Sequence, residues 1–78
     1  MDLEGQRKKM GQHIRDQALF QGKRVKVSFL READGEEVFE VQSAKGSAEV
    51  RLSRESLSLK PSHLWEIDEK IAAALSSI

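Results

Sequence analysis

The chain has 78 residues, with 13 Lys and Arg against 13 Asp and Glu, no cysteine and one tryptophan. A single domain of this length sits near the lower limit for a self-sufficient core; without disulfides or thiolate metal sites it must rely on good packing or on association. No apolar run is long enough for a signal peptide or a membrane span, so an intact soluble protein in a reducing, cytoplasmic setting is expected.

The first predicted element is a helix over about residues 2–20, where Leu3, Met10, Ile14 and Ala18 share one narrow stripe at 100° per residue. Asp2 is placed to favour the positive end of the helix dipole, and Glu4 precedes Lys8 by four residues, the favourable order for a helical ion pair. Gly5 and Gly11 work against the helix. Gly22 is the expected stop, because glycine readily takes the left-handed conformation that closes helices.

The period then changes from 3.6 to 2, and strands are predicted over about 24–31, 36–43 and 48–53. Val25, Val27 and Phe29 alternate in the first, Phe39 and Val41 in the second, and Ala48, Val50 and Leu52 in the third. Asp34-Gly35 suits the first hairpin turn, and Gly46 is given the same role in the second. Leu30 and Val38 break the alternation, which suggests a partly covered outer face. Residues 54–60, "RESLSLK", fit a crossing loop, a short helical turn or a fourth strand around Leu57 and Leu59.

A closing helix over about 62–77 is announced by Pro61-Ser62 and by Leu64, Ile67, Ile71, Leu75 and Ile78 at helical spacing. Glu66 and Lys70 form a second i,i+4 pair. The predicted fold is α+β: a three-stranded antiparallel meander flanked by N- and C-terminal helices, α-β-β-β-α, in one compact domain over 1–78, with both helices on the apolar face of the sheet.

The order helix, "GKRVKVSFLREADGEEVFEVQS", "AEVRLS" superficially resembles the start of an Sm-like fold. Proteins of that kind set an N-terminal helix before a strongly bent small barrel and often bind RNA as rings. The resemblance covers residues 2–53 and departs where a full helix replaces the closing strands, and no RNA-binding signature follows the third strand. It implies an alternative fold, an Sm/SH3-like small barrel with terminal helices, and no residue roles are carried over.

Charge is distributed unevenly. Residues 1–26 hold seven bases and three acids, a net +4, and the rest of the chain carries −4. Arg7, Lys8, Lys9 and Arg15 on the first helix, with Lys23, Arg24 and Lys26 beyond it, form either a nucleic-acid-binding patch or a solvated face. No aromatic stands among them to stack on bases. Glu32, Asp34, Glu36 and Glu37 crowd the first hairpin, as a solvated turn that guards a sheet edge or as a surface for a basic partner.

Trp65 lies off the apolar stripe of the last helix, on a side shared with Asp68 and Ala72. It either packs on residues 54–60 or anchors an interface. His13 and His63 lack the spacing or companions of a zinc site. No Ser-His-acid, GxSxG, GxGxxG or P-loop pattern is present, so neither an enzyme nor a cofactor is expected. The expected function is non-catalytic binding to another protein as a regulator, inhibitor or adaptor, through Trp65, Asp68 and Ala72 and the acids of the first hairpin. A homodimer is a further possibility. The alternative is a nucleic-acid-binding regulator using Arg7, Lys8, Lys9, Arg15, Lys23 and Arg24.

Overall fold

The computed structural model describes residues 3–78; Asp2, expected at the positive end of the first helix, lies outside them. The first helix, α1 (Leu3–Phe20), forms in spite of its two glycines because one stripe is wholly used: Met10, Ile14 and Ala18 are buried. It closes at Gly22, which has φ +77°. The amide of Lys23 donates to the Ala18 carbonyl at 2.8 Å, and that of Gly22 donates to Leu19 at 2.9 Å. These two bonds make a Schellman motif, which satisfies carbonyls the helix end would otherwise leave free.

Three strands follow, β1 (Lys26–Ala33), β2 (Glu36–Ser43) and β3 (Gly46–Ser53), antiparallel in the order β1-β2-β3. The sheet is open. This overturns the Sm/SH3-like barrel, since helical turns follow β3 and, among the described residues, no further strand joins its two edges.

Strand boundaries differ from expectation for local reasons. β1 starts at Lys26 instead of 24 because Arg24 and Val25 carry the chain out of the helix cap. It runs on to Ala33, which pairs with Glu36 across a two-residue turn. Asp34 (φ +52°) and Gly35 (φ +77°) both take positive φ there, the geometry whose twist matches a hairpin. β3 starts at Gly46, which pairs with Ser43. The second turn is therefore Ala44-Lys45, not Gly46, and the Ser43 hydroxyl accepts the Lys45 amide at 3.1 Å.

Leu30 breaks the alternation because the β1–β2 register shifts between Phe29 and Arg31. The extra residue forms a bulge and leaves Leu30 exposed. Val38 breaks it for a different reason. It lies on the outer face between Arg31 and Arg51 in one cross-strand row, and both arginines pair with Glu49. Their aliphatic stems shield it, and Val38 is buried.

Residues Arg54–Ser58 form a 3-10 turn, the helical option among the three for this segment. It buries Leu57 and ends on Leu59 at φ +55°. The last helix, α2 (Pro61–Leu75), has Pro61 in its first turn. It stops short of residue 77 because the hydroxyls of Ser76 and Ser77 donate back to Ala73 and Ala74, a local bonding that competes with helix extension. One core joins all the elements: Met10, Ile14 and Ala18 from α1, Phe39, Val41, Val50 and Leu52 from the sheet, Leu57, and Ile67, Ile71 and Leu75 from α2. Phe29 meets Phe39 edge to face at 5.5 Å between centroids.

Candidate functional site

Two contacts fix how the helices lie. His13 Nε2 sits 2.7 Å from Asp68 Oδ1, and the Lys23 ammonium donates to the carbonyls of Leu75 (2.5 Å) and Ile78 (3.2 Å). Partners advance together along both segments, so α1 and α2 run parallel and side by side. Trp65 precedes Asp68 by three residues and Ala72 follows it by four, which places both on the α2 flank that faces α1. Phe20 is two turns beyond His13 and shares the corresponding flank of α1. Trp65 is 78% exposed and Phe20 is 89% exposed. Two large aromatic side chains thus flank the seam of a helix pair whose opposite faces are fully packed.

Trp65 is mostly exposed, which weighs against its being packed into residues 54–60. Asp68 lies partly buried, its carboxylate occupied by His13, and Ala72 is exposed beside it. Phe20 is the residue sequence reasoning missed. Its signal was available: it falls about 120° away from the Ile14 direction on the helical wheel, where a large apolar side chain has no core to enter.

The acidic hairpin is not one surface. Glu37 is fully buried, contrary to its expected place in a solvated cluster. The cause is the strand register: Glu37 shares the inner face with Phe39 and meets α1, where Arg7 Nε donates to its Oε1 at 2.6 Å. Glu32 pairs with Arg7 at 3.5 Å and also with Arg54. Glu36 is half-buried, and Asp34 stands exposed in the turn.

The basic residues divide similarly. Arg7 lies over the Phe29 ring at 4.1 Å and serves the buried carboxylate. The hydrogen bond to Glu37 raises its guanidinium above the ordinary value; burial opposes this, and the charges of Glu37, Glu32 and Glu4 add to the rise. Lys23 caps the last helix. Arg15 donates to Gln12 at 2.6 Å. Among the described residues, Lys8, Lys9, Arg15 and Arg24 have no carboxylate at ion-pair distance. Also among the described residues, no set of three His, Asp or Glu side chains converges to hold a metal ion, and no helix is long and apolar enough to cross a membrane.

Comparison with protein-family models, with curated proteins and with solved structures finds no match for this chain.

Proposed function

We propose that the protein is a non-catalytic binding module that docks another protein on the α1–α2 seam, with Trp65 and Phe20 as the anchors. The observation that carries this reading is the exposure of both aromatics on one helix-pair face while the core is otherwise closed. An indole left in water gains when a partner covers it, and tryptophan is enriched among the few interface residues that dominate binding energy. Ala72 keeps the surface between them low enough for a partner to approach.

The test is affinity capture from a cell lysate with tagged wild-type, Trp65→Ala and Phe20→Ala proteins, each with and without nuclease. A stoichiometric protein retained after nuclease and lost with Trp65→Ala supports the proposal. The expected loss is about 2 kcal/mol, roughly thirty-fold in affinity. Recovery that disappears with nuclease favours the second reading, phosphate binding by Lys8, Lys9, Arg15 and Arg24, which are among the cations without a carboxylate at ion-pair distance among the described residues.

A further inference from the structure

A groove of about 840 Å³ runs between α1 and β1. Lys8 and Arg15 rim it from the helix, Glu4 is the one carboxylate among its lining residues, and Val27 and Phe29 supply an apolar floor above the buried Phe39, with Arg7 lying over the Phe29 ring. Ser28 also lines it. Residues 27, 28 and 29 point alternately to opposite faces of the sheet, so a groove that touches all three is open to the free edge of the strand. β1 is an edge strand, since among the described residues β2 is its one neighbour in the sheet. The bulge at Leu30 limits the regular edge to Lys26–Phe29.

We propose that this edge receives an acidic, extended segment of a partner protein, which adds a strand beside β1. Backbone pairing supplies register; side chains on the α1 side meet the apolar floor and the Lys8 and Arg15 rim, and carboxylates on the opposite face meet Lys26. The charge of the site selects this occupant. A second copy of the chain would bring its own Lys8, Arg15 and Lys26 to the same edge, where the added positive charge opposes association. A nucleic acid lacks the alternating N–H and C=O groups that pair with a free strand edge. The site uses different residues from the Trp65 seam, so either proposal can fail alone.

The experiment titrates isotope-labelled protein with a short peptide of the pattern Val-Glu-Glu-Glu-Val-Glu, whose one face carries valine with glutamate and whose other face carries glutamate alone, followed by amide NMR shifts. Controls are a lysine–valine peptide and a single-stranded oligonucleotide. The expected result is saturable shifts centred on residues 26–29, with at least tenfold weaker binding by Lys8→Glu/Arg15→Glu and by Lys26→Glu. Lys45→Glu, at the far hairpin, should bind as wild type. Both variant sets change exposed side chains, and Lys26→Glu serves if the double variant does not fold. The proposal is overturned by absence of binding, by shifts elsewhere, by equal affinity for the lysine peptide, or by a response to the oligonucleotide alone. Self-association through β1 without any peptide overturns it as well.

Discussion

Arg7 on α1 and Glu37 on β2, thirty residues apart, meet through a 2.6 Å hydrogen bond in which the carboxylate is fully buried. The second carboxylate oxygen, Oε2, has no hydrogen-bond partner among the described residues. Among the described residues, Glu37 therefore has one charged partner, the Arg7 guanidinium. Arg7→Ala strands a buried charge, the costly way to break such a pair, whereas replacing both partners by apolar residues removes the desolvation problem altogether. Urea unfolding should rank Arg7→Ala well below Arg7→Leu/Glu37→Leu in stability. The reverse order would mean that the pair itself holds α1 to the sheet.

The Lys23 ammonium closes the other end of the helix pair. It serves the carbonyls of Leu75 and Ile78, which lie at the negative end of the α2 dipole. Lys23→Met keeps the stem and removes the charge, and should cost about 1 kcal/mol. Amide exchange should accelerate in the last turn of α2, and the deficit should shrink in molar salt, which screens charge–dipole attraction. An unchanged exchange pattern would show that the cap contributes nothing.

Two glycines should respond with opposite signs. Gly35 sits at φ +77° in the first hairpin, where an L side chain is strained; Gly35→Ala should destabilise by about 1–2 kcal/mol. Gly11 has helical geometry, and an added Cβ would meet only Val27 Cγ1, at 3.8 Å, an ordinary contact. Gly11→Ala should then stabilise by up to about 1 kcal/mol through helix propensity and reduced freedom of the unfolded chain. Thermal midpoints of the two variants against wild type decide both signs.

How far these features could be read from sequence depended on what determines each one. Met10–Ile14–Ala18 and Ile67–Ile71–Leu75 were legible because periodicity alone selects a buried face. Asp34-Gly35 was legible because its turn needs positive φ. The fate of Glu37 was not: strand alternation puts it on the inner face, but only the arrival of Arg7 from α1 makes that burial tolerable, and no local pattern encodes the meeting. The bulge at Leu30 and the second turn at Ala44-Lys45 also escaped, since both are set by pairing with β2. Trp65 was singled out correctly as off the apolar stripe, while its exposure and its relation to Phe20 required knowing that the helices run parallel.

That relation separates binding from folding in a measurable way. Trp65 is not a member of the buried core and is 78% exposed, whereas Ile71, six positions later on the same helix, is fully buried. Trp65→Ala should change unfolding free energy by no more than about 0.5 kcal/mol, as surface substitutions do. Ile71→Ala removes buried methyl groups and leaves a cavity, which should cost about 2–5 kcal/mol, a large part of the stability of so small a domain. If urea unfolding shows Trp65→Ala to be as damaging as Ile71→Ala, the indole holds the helices together and cannot be the free anchor of a partner site. If Trp65→Ala folds as wild type, its side chain stays available for whatever covers the seam.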